Sequence, residues 1–440
     1  MRSKTTINYR KQLLQNLENE FENEEFKDQA KGGQKKLFSR NRCFTLKRLI
    51  VIIMLLKTSY QREIERFGKL ILKGDYNIRL ATKGALSQAR AKLNPVAFRR
   101  LSEVAVNSFY DGAPYYTWQN LRVLAVDGSS LKLPNSKEII DHFGSYDTGR
   151  NGDKEVCMAK CSLLYDVLNH VTVDSQLGLC KESEKSLFIK HFEYLKKGDL
   201  ILGDRNYPSM ETMYRLTKMN VDFCFRMKEN WWLIVKEFKK SGKDERIVKI
   251  TMPTKLVKKF EIKEEDKEIT CRLIRIELEN GQTEILCTSL LDPKIYEYDQ
   301  FQALYHTRWN VEEAYKLLKS RIQIEGFTGR TTRSIYQDFY AKIFMMTLCA
   351  TLSYPIEIKV REEYKKELTQ NKYDQQINRT SAIAQVKDNL VNLLIKQTHK
   401  KTIAIMDALI EKTKEIVRPN RKVPIKHLAK KRYHSNYKPI

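Results

Sequence analysis

The sequence predicts a mixed α/β protein whose core is interrupted by a β-rich insertion and flanked by helical N-terminal and C-terminal regions. Three observations predict it. Short apolar runs of strand composition alternate with helical stretches across residues 119–228. Within 229–293, Asn280-Gly281 sits between alternating apolar residues, Cys271 and Leu273 before it and Ile285 and Cys287 after it, a hairpin signal. Helical periodicity with dense charge fills the two flanks, 1–118 and 359–440.

The bulk numbers bound the rest. A chain of 440 residues is too long for one typical domain and predicts two to four units. Lys and Arg number 80 against 54 Asp and Glu, a formal net charge of +26. An excess of that size points to a polyanionic partner, because each phosphate neutralised releases condensed counterions. On charge alone, a merely basic enzyme stays open. The eight cysteines are scattered, and only Cys157 and Cys161 are near neighbours, so no zinc site is completed and reduced thiols are expected. The polar start does not resemble a secretory signal. The apolar run 49–56, between Arg48 and Lys57, is too short to cross a bilayer and predicts a buried helix. A soluble, cytoplasmic protein with no membrane partner is expected.

Along the chain, residues 1–40 are polar with a Gly32-Gly33 break and predict a helical or loose arm. Residues 44–110 are helical, punctuated by Gly68, Gly74 and Pro95. Within them, 81–93 reads as a helix capped by Thr82 and carrying Arg90 and Lys92. Between Arg79 and Ser102 there are six Lys or Arg and no acid, which suits docking on DNA in a helix-turn-helix arrangement. A solvated basic face on a packing helix explains the same pattern, and both readings stay open.

The run 121–133 is β-rich and precedes a Gly- and Asp-rich loop, 144–153. Strands at 159–166 and 170–179, joined tightly through Asn169, a helix at 182–195, a strand at 199–204, a helix at 208–220 and a strand at 221–228 complete the first part of the core. The second part, 294–358, is helical from about 298 to 352. Residues 359–416 are helical and highly charged, and the tail 418–440, with eight Lys or Arg, no acid and three prolines, reads as extended.

Two aspartates end apolar runs: Asp127, followed by Gly128, and Asp204 after Leu200-Ile201-Leu202-Gly203. A strand end exposing a carboxylate is where α/β sheets place ligands. One Asp-Gly is a common turn; two acids in the same setting are less easily dismissed. Tyr305, Arg308, Glu312 and Lys319 are spaced by 3, 4 and 7, so on one helix they share a face. A solvated face with an Arg308–Glu312 pair would give the same spacing. It does not explain why Glu313, Lys316 and the apolar Ala314, Leu317 and Leu318 fall on the other sides. The functional reading does: Glu312 joins Asp127 and Asp204 in holding metal, while Tyr305, Arg308 and Lys319 grip phosphate oxygens. Hard carboxylate oxygens suit Mg²⁺, with Mn²⁺ as substitute.

The pattern Tyr305-x2-Arg308-x3-Glu312-x6-Lys319 resembles, without departure, the signature of DDE-type insertion-sequence transposases of the insertion-sequence-four family. Asp127-Gly128 and Asp204-Arg205-Asn206-Tyr207 are similar to that family's two aspartate motifs; a small residue is usual where Asn206 stands. The stretches Gln337-Asp338-Phe339-Tyr340 and Arg418-Pro419-Asn420-Arg421 support the likeness. The resemblance implies a ribonuclease H-like mixed sheet core, with the insertion lying between the second aspartate and the glutamate. It also implies an N-terminal region that recognises the element's ends and a C-terminal dimerising region. The expected partners are double-stranded DNA, as element ends and target, and a second copy in a homodimeric synaptic complex within a bacterial, nucleoid-associated setting. The implied activity is cutting at the ends and joining to target by two-metal phosphoryl transfer through a hairpin intermediate.

Hairpin chemistry needs a base moved out of the stack and held on an aromatic face. Trp231, Trp232 and Trp309 are the candidates, with Trp232 placed among the DNA-binding residues and ordinary core packing as the rival account for each. His306 is read as incidental, and Asp153, Glu155 and Asp166 as solvated or turn residues. Two other functions share the acids and the charge: another ribonuclease H-like nuclease, and a decayed or domesticated DNA-binding derivative. The first has no use for the Tyr-Arg-Lys stripe, and the second none for an intact acidic triad.

Overall fold

A computed structural model describes residues 2–417 apart from 35–36, 39–42, 58, 72–80, 148–154, 229–231, 279–280, 366 and 370–371. Trp231, Asn280, Asp153 and the tail 418–440 therefore lie outside the described residues. The chain divides into two compact units: Met1–Pro114 with Leu131–Met158 and Leu317–Ile440, and Tyr115–Ser130 with Ala159–Lys316. The nine strands of the main sheet are β1 (Arg122–Lys132), β2 (Ser145–Asp147), β3 (Glu155–Asp166), β4 (Val171–Gly178), β5 (Asp199–Gly203), β6 (Asp222–Arg226), β7 (Glu245–Thr251), β8 (Glu268–Glu277) and β9 (Thr283–Thr288).

The first unit is helical. Its helix Leu46–Leu55 is buried from Leu49 to Met54, as an all-apolar run requires. Helix Lys83–Ala91 starts where Thr82 Oγ1 accepts the Ala85 amide, at 3.2 Å. The long helix Thr332–Glu363 opens on a Thr331/Ser334 capping box and contains Pro355. It is long and apolar enough to cross a bilayer, but 83% of its apolar window is buried inside the protein, the mark of a core helix. Pro355 has no N–H for the carbonyl of Thr351 four residues earlier. The Tyr9 hydroxyl fills that place by donating to Thr351 O, and Arg10 donates to the next carbonyl, Leu352, at 3.1 Å. Arg10 also forks onto Asp407 at 2.7 and 2.8 Å, tying helix Arg2–Glu22 to helix His399–Lys412. β2 belongs to this unit and pairs antiparallel with the leading residues of β3.

The second unit carries the mixed sheet, in the order β3-β1-β5-β6-β9-β8-β7 with β4 on β3. β1, β5 and β6 are parallel, and β3 and β4 form an antiparallel hairpin. The core is the mixed α/β sheet expected. The hairpin turn is held by Asp166, whose carboxylate is buried and accepts the amides of Leu168 and Asn169 at 3.0 and 2.9 Å. That is a turn role, but not a solvated one. The described strands of the segment 229–293 prolong the core sheet: β9 pairs with β6, and β8 and β7 follow. β8, ending at Glu277, and β9, starting at Thr283, form the hairpin expected there; Leu278 N–H donates to the Gln282 carbonyl at 2.9 Å, and Gly281 has φ 76°. Ladder hydrogen bonds and apolar burial favour extending an existing edge over leaving it open.

Candidate active site

In β1 and β5 the parallel register pairs Ala125 with Leu202. Asp127 stands two residues beyond Ala125, and Asp204 two beyond Leu202 and just past the end of β5, so the two acids follow the paired stretch at the same offset. β5 stops at Gly203, but β1 continues to Lys132, so Asp127 sits within a strand rather than at its end. Only the apolar part of β1 ends there.

The Asp127 carboxylate accepts the Gly128 amide at 2.9 Å. Burial, and then the Asp204 and Glu312 charges, raise its carboxyl to about 6 against the opposing pull of Gly128 N–H and Arg308. Asp204 accepts the Asn206 amide at 2.8 Å, and the Asn206 side chain approaches its other oxygen at 3.4 Å. The residue that departs from the family pattern thus serves to orient the acid.

The helix expected through residues 305–319 is broken. Helix Gln300–His306 ends at a turn where Thr307 Oγ1 bonds back to Leu304 O at 2.6 Å, and a new helix runs Trp309–Leu317. A hydroxyl that competes for its own backbone bends a helix in this way. Beyond it, Leu318–Ile322 is π-helical, which displaces Lys319 from the 3.6-residue phase. Lys319 is exposed and falls in the helical unit. Tyr305, Arg308 and Glu312 stay together. The Tyr305 hydroxyl donates to Gly203 O at 3.3 Å, next to Asp204. The Arg308 guanidinium lies 5.8 Å from the Tyr305 ring centre and donates to Glu312 at 3.0 Å. Tyr305 is only 6% exposed, so in this arrangement its hydroxyl faces a strand end rather than solvent.

Two residues escaped the sequence reading. Glu184 stands in the first turn of helix Glu184–Lys190, and a Cβ on Gly128 would meet its Cγ at 2.9 Å and its Oε1 at 3.0 Å. That close approach explains glycine after Asp127 and brings a fourth carboxylate to the site. Its one sequence signal was the Ser183 cap, which places an acid where the helix dipole welcomes it. Tyr207 is fully buried and its hydroxyl has no partner. Burial raises it, and the carboxylates of Asp127, Glu184 and Asp204 raise it further. Arg308 Nε is also buried without a partner. Nearby in sequence, Asp174, His191 and Ser162 form a relay, 2.6 and 2.9 Å long. Ser162 and His191 are fully buried, so this is internal scaffolding and takes no substrate.

Other candidates move. Arg90 is 3% exposed and pairs with Asp338 at 2.6 Å, while donating to Gln337, Thr328, Tyr60 and the Ser334 carbonyl. It is an internal clamp, and its reading as a DNA contact is corrected: a guanidinium so enclosed has no donor left for phosphate. Lys92 remains exposed at the end of the same helix. Trp309, expected to pack, is 51% exposed with Arg308 at 5.2 Å from its ring centre. Trp232 is half-buried before helix Leu233–Lys240. No group of three or more His, Cys, Asp or Glu side chains among the described residues is closed up to metal-holding distance.

A folded-state value of about 6 against an unfolded value near 3.9 means Asp127 favours the fold in its protonated form. That contribution is complete below about pH 4 and is lost as pH rises through about 6. In metal-free buffer at pH 7.5, Asp127→Asn is therefore expected to stabilise the protein by about 1–3 kcal/mol. At pH 4.5 the gain in melting temperature shrinks severalfold; an equal gain at both pH values counts against a strained carboxylate.

Residues 118–348, just over half the chain, match the family described as transposase DDE domain. The transposase InsG for insertion sequence element IS4 from Escherichia coli (strain K12) is 24% identical over 255 residues, 57% of this chain and 55% of that protein. The chain thus spans just over half the length of that relative. The transposase for insertion sequence element IS231C from Bacillus thuringiensis subsp. berliner is 21% identical over 352 residues, 70% of each chain. Among solved structures, a piggyBac transposase synaptic complex with hairpin DNA gives a TM-score of 0.44 at 10% identity, over 83% of this chain and 74% of that one.

Proposed function

The chain belongs to the transposase DDE domain family, and from that premise we propose that it cuts DNA at the ends of an insertion sequence and joins them to target DNA. The observation that carries the reading is the equal offset of Asp127 and Asp204 beyond the paired residues of the parallel strands β1 and β5, with Asp204 and Glu312 near enough to raise the Asp127 carboxyl. Three acids that repel one another in a half-buried site favour a cation, and their donor atoms are the hard oxygens that Mg²⁺ takes, with Mn²⁺ as substitute. Asp127, Asp204 and Glu312 would hold two such ions, which supply an activated water or 3′-hydroxyl and stabilise the leaving oxygen.

The remaining work falls to the chain. Arg308 holds Glu312 in place and would share it with the bound charge. Its unpartnered Nε offers a donor for a phosphate oxygen. Tyr305 fixes the start of the glutamate segment against the end of β5. Lys319 and Lys92 are exposed cations that would approach the DNA backbone. Trp232 and Trp309 are the described aromatics for a base displaced at a hairpinned end, and a homodimer would bring two ends together.

The test is to incubate the full chain with a candidate end and Mg²⁺, then run a denaturing gel. Nicked and hairpinned termini are expected. Cleavage without hairpins points to another ribonuclease H-like nuclease, and binding without cleavage to an inactive derivative. Trp232→Ala with unchanged hairpin yield removes that residue from the flipped-base role.

A further inference from the structure

Within the helical unit, two cavities share Lys57 and Lys387 as lining residues. The smaller, about 50 Å³, carries four cations, Lys57, Arg321, Lys342 and Lys387, and no carboxylate among its described lining residues. The larger, about 370 Å³, adds Arg66 and Lys69, with Glu63 and Asp388 as its acids and Leu55, Phe67 and Leu70 as an apolar wall. The cations arrive from separate segments: Lys57 just after helix Leu46–Leu55, Arg321 from the π-helical turn, Lys342 from helix Thr332–Glu363 and Lys387 from helix Arg379–Leu394. Lys342 spends its donors inward, on the carbonyls of Gln323 and Gly326 at 2.9 and 2.7 Å, so it lends the cavity charge alone. Among the described residues, Lys57, Arg321 and Lys387 make no hydrogen bond or ion pair. Burial and then the Lys57 and Lys342 charges push the Lys387 ammonium down to about 8, against the smaller opposing pulls of Cys349 and Glu63. Like charges gathered in a partly desolvated cleft raise the free energy of the fold until an anion joins them.

We propose that this pocket binds a phosphate group and that a polynucleotide backbone supplies it. A cavity needs about 10–15 Å³ to take one water, so the smaller one admits a group of several heavy atoms, the size of a phosphate. Lys57, Arg321 and Lys387 supply the donors. The larger cavity has the apolar wall and the volume, at roughly 300 Å³ or more, that a small organic group such as an attached sugar or base needs. The polynucleotide source rests on the DNA-cutting function proposed above; capture of phosphate itself does not.

The test uses the full chain and inorganic phosphate at low millimolar concentration, with thermal melting as readout. Phosphate is expected to raise the wild-type melting temperature by roughly 2 °C. Lys387→Met relieves the repulsion, so it is expected to melt at or above the wild-type temperature without phosphate and to lose the phosphate shift. Arg321→Gln, at an exposed position, is expected to lose the same shift. In a second arm, both variants bind duplex DNA about tenfold more weakly whatever its sequence, and their salt slope falls by about one. A phosphate shift that survives both substitutions overturns the site. A lost shift with unchanged duplex affinity and slope overturns the polynucleotide source and leaves free phosphate as the ligand. A chain that takes up phosphate through Lys387 yet never cuts DNA sinks the transposase function and leaves this site standing.

Discussion

Glu312→Gln is expected to lower DNA-end cleavage in Mg²⁺ by about 10³-fold or more while end binding persists. The substitution keeps length and shape and leaves an amide oxygen that can still accept from Arg308, whose contact with Glu312 is 3.0 Å. What it removes is the negative charge. Asp127 loses one of the neighbours that raise it, and a cation held by the three acids would lose one carboxylate. The fold should therefore survive the change and the chemistry should not. A gel that shows wild-type cleavage by the variant in Mg²⁺ would end the assignment of Glu312. A variant that neither binds nor melts normally would instead place its role in structure.

The second large effect is on stability. Arg90→Met is expected to cost about 3–5 kcal/mol, because removing one partner of a buried pair leaves the other uncompensated. Asp338 is 2% exposed and also accepts the Thr328 amide at 2.6 Å. Gln337 would lose the 2.8 Å bond it accepts from Arg90 while still donating to the Arg90 and Leu93 carbonyls. Arg90→Lys should rescue little, since a single ammonium cannot reproduce a fork of five donors. Urea unfolding measures the loss directly. Wild-type stability with weakened DNA binding would instead restore Arg90 to the surface role that its basic surroundings imply.

The contrast between Arg90 and Lys92 shows where reading residues in order stops. Two positions apart on one helix, they look alike in a run of six basic residues without an acid. One ends up clamped inside the unit and the other in solvent, because their side chains leave the helix some 200° apart. Which direction is inward depends on what packs there, here the Gln337-Asp338 turn of a helix far along the chain. The same holds for the glutamate segment. Spacing correctly kept Tyr305, Arg308 and Glu312 on one side, yet Thr307 back-bonding and the π-helical turn decided that no single straight helix carries Lys319 with them.

By itself, then, the sequence determined the features that need only neighbours: apolar runs for β1 and β5, the Thr82 cap, the 271–287 hairpin and the four-residue signature. Each follows from backbone periodicity and short-range hydrogen bonding, which operate within a few residues. Tertiary structure alone decided the rest: the equal offset of Asp127 and Asp204 beyond the pairing of β1 with β5, the approach of Glu184 to Gly128, the extension of the core sheet by β9, β8 and β7, and the gathering of Lys57, Arg321 and Lys387. These follow from strand register and burial between segments far apart in the chain, where the free energy of pairing and desolvation, not local propensity, chooses the partner.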